Sequence, residues 1–219
     1  MKKAIVVPIK TNNQRLPGKN TMILHGKPLH DYLFDTLKSL KNIEIYVHSS
    51  DEEILEYARK KYEFKTIKRP DSLNSPETSG NDLIEHALSN IDCDVLGQFF
   101  VTTPFLKKET IYKSFSFFSE ESIESCFGVY PVFDRFWMLN SPVNHEYKKL
   151  VGTQYMKNPL LRESGFYVFK KSAFLLERSR ITENFRYFQV EESECIDIDT
   201  LCDFLYAEAF LAHMKKGNK

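Results

Sequence analysis

Two aspartates one residue apart, Asp197 and Asp199 in the stretch ECIDIDTLCDF, set the first chemical constraint. In extended backbone successive side chains alternate, so Ile196 and Ile198 go to one side and both carboxylates to the other. Like charges on one face repel unless a cation or a shared proton lies between them. Hard carboxylate oxygens suit magnesium, which keeps several waters and completes its shell with substrate phosphates. Thr200, with Asp203 three residues on, makes a capping-box pattern that opens a helix with Leu201, Leu205, Ala209 and Ala212 on one stripe. Because Thr200 does the capping, the two aspartates have no evident structural duty.

The second cluster lies at the other end of the chain. After the apolar run AIVVPI comes KTNNQRLPGKN, in which Lys10, Arg15 and Lys19 alternate with the amides of Asn12, Asn13, Gln14 and Asn20 around a Pro-Gly turn. LPGKNT lacks the upstream glycine and the Lys-Ser/Thr adjacency of a P-loop, and no G-x-G-x-x-G follows the first strand. Cationic side chains, rather than glycine amides, would hold a polyphosphate here. Either cluster alone has a bland reading, a chance D-x-D or a solvated basic loop. Together they point to a metal–nucleotide site.

The elements that must position these residues alternate. AIVVPI, IEIYVHS, DVLGQFFV, ESCFGVYPVF and SGFYVF are apolar runs of strand length, and PLHDYLFDTLKSLK, DEEILEYARKKY, SGNDLIEHALSNI and LKKETIYKSFSFF carry helical periodicity between them. The pattern predicts an α/β fold with a mostly parallel open sheet and helices on both faces, binding its ligand at the carboxyl ends of the strands. At 219 residues the chain accommodates one such domain, 1–219. The alternation falters over 132–161, which reads as an inserted hairpin or arm. Its Phe136, Trp137, Met138 and Tyr155 are too apolar to stay wholly in water, so it either contacts a second subunit or closes a local core.

Composition narrows the function classes. Thirty basic residues balance thirty acidic ones, which argues against a nucleic-acid binder, and no stretch reads as a membrane span. Cys93, Cys126, Cys195 and Cys202 have no zinc or disulfide spacing, and the expectation is reduced thiols in the cytoplasm. The opening MKKAIVVPIK is too short and too interrupted for a signal peptide. The six histidines form no triad or ligand spacing.

VPIKTNNQRLPGKN resembles the N-terminal signature of the cytidylyltransferases that activate acidic sugars, approximately P-A-R-x-G-S-K-R-L-P-x-K-N. HGKPLHDYLFDTL, VHSSDEEILEYARK, KRPDSLNS, TTPFL, ESGFYVF and IDIDT resemble further segments of that family, in the same order, from Ala4 to about Glu208. The resemblance implies a nucleotidyltransferase, Rossmann-like fold, a homodimer joined through the arm, and transfer of CMP from CTP to a nine-carbon 2-keto sugar acid with release of pyrophosphate. It further implies that Lys10, Asn12, Asn13, Arg15, Lys19 and Asn20 meet the nucleotide, Arg69 and Ser75 help to hold it, and Asp197 and Asp199 carry Mg2+. Asp197, Asp199, Lys19 and Arg15 would then form the catalytic set. Departures are present: Lys10 replaces the usual Arg, Asn12-Asn13 the Gly-Ser pair, and Gln14 a Lys. Phe100 stands where sialic acid enzymes often carry a glutamine, favouring a deoxygenated acid of pseudaminic or legionaminic type, and Arg162 is a candidate for the sugar carboxylate. The alternatives are a Kdo cytidylyltransferase, whose family usually lacks the IDIDT ending, a metal-dependent glycosyltransferase, and a nucleotide-binding homologue without turnover.

Overall fold

A computed structural model describes residues 1–10, 13–75 and 77–217, so the reading of Asn12 lies outside the described residues. The strands are β1 (Lys3–Ile9), β2 (Ile23–Leu24), β3 (Lys27–Pro28), β4 (Glu44–Ser49), β5 (Lys65–Lys68), β6 (Val95–Phe99), β7 (Ser125–Val132), β8 (Trp137–Met138), β9 (Ser141–Pro142), β10 (Leu160–Lys170) and β11 (Phe185–Gln189). The helices are α1 (Leu29–Lys38), α2 (Glu52–Tyr57), α3 (Gly80–Leu88), α4 (Lys108–Ser116), α5 (Lys171–Glu177) and α6 (Leu201–Gly217).

Seven strands form one sheet in the order β11-β7-β10-β6-β1-β4-β5. All its pairings are parallel except those of β10, which runs antiparallel to both β6 and β7. The mostly parallel sheet expected from the sequence is present, with β10 as its one reversal. β1 shows why both faces are covered: Ile5, Val7 and Ile9 enter one core cluster with Leu33 and Phe34 of α1 and Phe115 of α4, while Ala4 and Val6 enter another with Ile84 and Ala87 of α3. A period of two along a strand buried on both sides gives this division.

Helix starts follow local chemistry. The Asp51 side chain accepts from the backbone N–H of Glu53 and Ile54 at the start of α2, and Ser79 with Asp82 closes a capping box on α3. α2 runs on into a wider π-helical turn, Ala58–Tyr62. β2 and β3 are joined by His25 and Gly26, with φ of 45° and 88°. Positive φ at both central residues is the hairpin geometry that suits strand twist.

Two strands of the seven-stranded sheet escape sequence reading. β5 (KTIK) and β11 (FRYFQ) lack a continuous apolar run because each is an edge strand with one wet face. α6 differs more instructively. Leu201 and Leu205 are each 54% exposed, whereas Phe204 and Ala207 are buried against Leu24, Leu29, Ile196 and Ile198. The helix is apolar on two stripes, and the packing partner, not the periodicity, selects the buried one.

The β7–β10 ladder extends to the pair Val132 and Leu160, beyond which β8 and β9 make a short hairpin. Trp137 is 53% and Tyr155 72% exposed there, while Phe136 is half-buried.

Candidate active site

The carboxyl ends of β1, β4 and β6 and an irregularity in β10 meet along one edge of the sheet. The β10 register shifts between Glu163 and Tyr167. Such a bulge re-aims side chains next to a site. A cleft of about 360 Å³ opens here. Lys10, Asn13, Lys19 and Asn20 line one side, Asp197 and Asp199 stand with them, and Phe100 and Thr102 belong to the loop after β6. A larger groove of about 790 Å³ lies between α1 and α6 and contains none of the candidate catalytic, nucleotide, sugar or metal residues. The chemistry resides in the smaller cleft.

The N-terminal loop folds inward because of its turn. Gly18 has φ of 67°, a conformation that costs glycine little, and the following helical turn Lys19–Thr21 directs Lys19 and Asn20 into the protein. Both are buried. Asn20 Nδ2 donates to the Lys10 carbonyl at 2.5 Å, while Asn20 Oδ1 and Asn13 Oδ1 have no partner. Buried polar atoms without partners are uncommon in folded proteins and mark places where a ligand can bond.

Asp199 is held by the loop's own cations. Lys19 Nζ lies 2.5 Å from Oδ1 and Arg15 Nη2 2.7 Å from Oδ2. Asp197 is exposed to the cleft. The walls of the cleft, by withholding solvent, are the main influence that pushes its pKa up, the Asp199 charge adds to the rise, and a hydrogen bond from Thr102 opposes it. The segment is extended rather than a ladder strand, anchored by Ile198 N–H donating to the Thr102 carbonyl at 2.8 Å. Ile196 and Ile198 are buried opposite the two carboxylates, as alternation requires. Thr200 and Asp203 form the capping box: Asp203 N–H donates to Thr200 Oγ1 at 3.3 Å and Thr200 N–H to Asp203 Oδ2 at 2.8 Å.

The donor set can be tested for a metal on its own terms. Among the described residues no group of three or more His, Cys, Asp and Glu side chains gathers around a common point. Two carboxylates alone form a partial oxygen shell, which suits magnesium with waters and phosphates completing it and does not suit a closed zinc site. A cation there would also relieve the repulsion that raises Asp197. Asp197 and Asp199 therefore fit the ion.

Arg69 lies behind the cleft wall and is almost wholly buried. Its Nη2 donates to the Ile9 carbonyl at 3.0 Å, Nε to Asn74 Oδ1 at 3.0 Å, and Nη1 has no partner. Burial, then the Arg69 charge, lowers the pKa of Lys10. Ser75 lies outside the cleft lining, half-buried, with its hydroxyl donating to Glu77.

Arg162 is not in the cleft. It sits exposed on β10 opposite Tyr130, where the strand leads toward the arm. The adjacent Glu163 does line the cleft, and because successive side chains of a strand point to opposite faces, Arg162 turns away from it. A third cation that lines the cleft, beside Lys10 and Lys19, is Arg180, together with Tyr167 and Glu163. The Tyr167 hydroxyl donates to Glu163 at 2.5 Å, and burial ahead of that bond pushes its pKa up to about 12. No motif marks Arg180. It comes from a loop after α5 and meets the site only through tertiary folding.

Four remaining thiols are free, three of them buried, and burial pushes Cys93 and Cys195 to about 11 and Cys126 to about 12, which keeps them unreactive. Among the described residues no helix is long and apolar enough to cross a membrane.

The doubly covered α/β sheet brings cations and carboxylates together at its strand ends. The family model described as "Cytidylyltransferase" matches residues 4–215, and the chain belongs to that family. It is 24% identical over 221 residues to a pseudaminic acid cytidylyltransferase of Campylobacter jejuni, covering 95% of each chain. It is 24% identical to an N-acylneuraminate cytidylyltransferase of Streptococcus agalactiae, of whose length it spans 56%. The solved structure of a CMP:2-keto-3-deoxy-manno-octonic acid synthetase complexed with CTP shares the fold, with a TM-score of 0.72, 17% identity, and coverage of 97% of this chain and 99% of that one.

Proposed function

We propose that the protein transfers CMP from CTP to the anomeric hydroxyl of a free nine-carbon 2-keto sugar acid. The observation that carries this reading is the juxtaposition of Asp197 and Asp199 with Lys19 in one cleft, with Arg15 paired to Asp199 from outside its lining, so that the two ends of the sequence meet. The hydroxyl gives its proton to solvent water as its oxygen attacks the α-phosphorus, the bond from the α-phosphorus to the bridging oxygen breaks, and pyrophosphate departs with that electron pair. Lys10, Arg15 and Lys19 bind the triphosphate and balance the charge gathering on the leaving pyrophosphate. Asn13 and Asn20, with their free oxygens, orient the nucleoside, and Arg69 stiffens the strand end from behind. Ser75 and Asn12 belong to the same nucleotide wall in this reading. Asp197 and Asp199 would hold Mg2+, which supplies positive charge to the phosphates and lowers the pKa of the attacking hydroxyl. Among the described residues no histidine lines the cleft.

Two features favour the nine-carbon, deoxygenated acids. One relative is named for pseudaminic acid, and Phe100 places a half-buried apolar wall in the cleft. A panel of nine-carbon and eight-carbon acids, assayed for pyrophosphate release with CTP and magnesium, tests the reading. Pseudaminic or legionaminic acid should outcompete sialic acid and Kdo. Preference for Kdo would move the protein to the eight-carbon branch. Pyrophosphate release without an acceptor acid, or none with any acid, would remove the proposal.

The arm, 132–161, is proposed to reach a second copy of the chain, making a homodimer. Trp137 and Tyr155 supply aromatic anchors of the kind that become interface centres when desolvated. Sedimentation at micromolar concentration should show a dimer, and Trp137→Ala with Tyr155→Ala should shift it toward monomer. A monodisperse wild-type monomer would contradict the arm's role.

A further inference from the structure

Arg180 lines the cleft and, among the described residues, pairs with no carboxylate. Arg180 Nη1 donates to Gln98 Oε1 at 2.8 Å, and the guanidinium lies over the Tyr167 ring, 4.3 Å from its centroid. Its neighbours in sequence are neutralised: Arg178 pairs with Glu85, and Arg186 with Glu120 at 2.8 Å. Among the described residues no carboxylate comes within ion-pairing distance of Arg180. Glu163 on the same wall bonds the Tyr167 hydroxyl instead.

The surroundings are built to hold this side chain. Gln98 is fully buried on β6, spends its carbonyl oxygen on Arg180, and has no partner for Nε2. Gly80, the first residue of α3, leaves the passage: a Cβ there would lie 2.7 Å from Arg180 Nη1. The stack and the single hydrogen bond fix the plane of the guanidinium while leaving most of its five N–H donors open. A planar, singly charged, two-oxygen anion matches that fork. A triphosphate is already served by Lys10, Arg15 and Lys19, and Glu163, which shares Tyr167 with Arg180, makes its surroundings a poor place for several negative charges.

We infer that Arg180, aimed by Gln98 as a positioning residue, recognises the carboxylate of the acceptor. This assignment rests on the sugar-acid reading above and moves the carboxylate role away from Arg162. It also explains why a cleft for an acid needs an apolar Phe100: charge recognition and tail recognition fall to different side chains.

The test compares the best-converted nine-carbon acid with its methyl ester at saturating CTP and magnesium, in wild type, Arg180→Ala, Gly80→Ala and Arg162→Ala. The wild type should favour the acid. Arg180→Ala should raise the KM for the acid about ten- to a hundredfold, as expected for loss of a charge-assisted hydrogen-bonded pair, with the constants for ester and CTP unchanged. Gly80→Ala keeps the arginine but displaces it, so it should give a smaller loss of the same selectivity. Melting temperatures of the variants show whether each one folds, and Gly80→Ala keeps the test open should Arg180→Ala not fold. Undiminished preference for acid over ester in folded Arg180→Ala overturns the inference, as does an equal loss for CTP. A selective loss in Arg162→Ala alone returns the role to Arg162. A wild type that converts no acid overturns the inference together with the proposed function, whereas a wild type that converts the acid confines any failure to Arg180.

Discussion

Asp197→Asn is expected to cut turnover by at least roughly tenfold to a hundredfold, taking loss of a metal's supporting group as the floor, while leaving stability unchanged or higher. The two effects separate because of the sign of the pKa shift. Asp197 titrates above the ordinary carboxylate range, so the folded protein binds that proton more tightly than the unfolded chain does. Stability from this group is therefore present at acid pH and declines as pH rises through the raised pKa. At neutral pH the ionised carboxylate opposes folding, and asparagine removes that cost. Asp199→Asn should lose turnover comparably but behave differently in stability. It leaves Lys19, which is mostly buried, and Arg15 without their counter-ion, so the nucleotide-free protein should melt lower and recover when CTP is added. Paired thermal melts and initial rates check both variants. Unchanged rates in both would take the aspartates out of the mechanism.

The second large effect is acid sensitivity centred on His48. This ring is fully buried on β4, its Nε2 lies 3.1 Å from His86 Nδ1 with the two rings stacked, and its Nδ1 has no partner. Burial foremost, then the charges of Arg69 and His86, lower its pKa from 6.5 to about 3. A depressed folded pKa means that the unfolded chain takes up the proton first. The stabilising contribution is thus complete above pH 6.5 and lost progressively as pH falls toward about 3. At about 1.4 kcal/mol per pH unit the loss amounts to several kcal/mol. Urea unfolding between pH 7.5 and 4.5 should show a steeper decline for wild type than for His48→Gln, which has no proton to gain. Parallel slopes would exclude His48 as the source. Since β1 pairs with β4 at Pro8 and His48, protonation would strain the strand end that carries Lys10.

Much of this site can be read from the sequence because its signals are local. The IDID alternation places two carboxylates opposite two isoleucines whatever the rest of the chain does, and Thr200 with Asp203 announces the helix that follows. The cationic loop after a buried strand is local in the same sense, and its Pro-Gly turn accounts for the inward course of Lys19. What the sequence hides is set by contacts between distant segments. Arg180 meets Gln98 from 82 positions away, with no periodicity or motif to signal it. Arg162 stands next to Glu163, which lines the cleft, but strand alternation turns the two to opposite faces, and proximity to SGFYVF in sequence does not carry that distinction. On α6 two apolar stripes competed, and only the cluster around Leu24 and Ile198 decides that Phe204 and Ala207 are inside. Edge strands β5 and β11 were missed for the opposite reason, since half-wet strands give up the continuous apolar run that marks β1 and β6.

The central claim is that this cleft joins CMP to a free sugar acid. Its most direct measurement is the mass of the nucleotide product formed from CTP, magnesium and a nine-carbon 2-keto acid by the purified chain, with pyrophosphate counted in the same tube. The account predicts a CMP-linked acid and pyrophosphate in equal amounts, with neither formed when the acid is omitted. CTP bound but unchanged beside every acid, or CMP and pyrophosphate released as free hydrolysis products with no linked sugar, would contradict it.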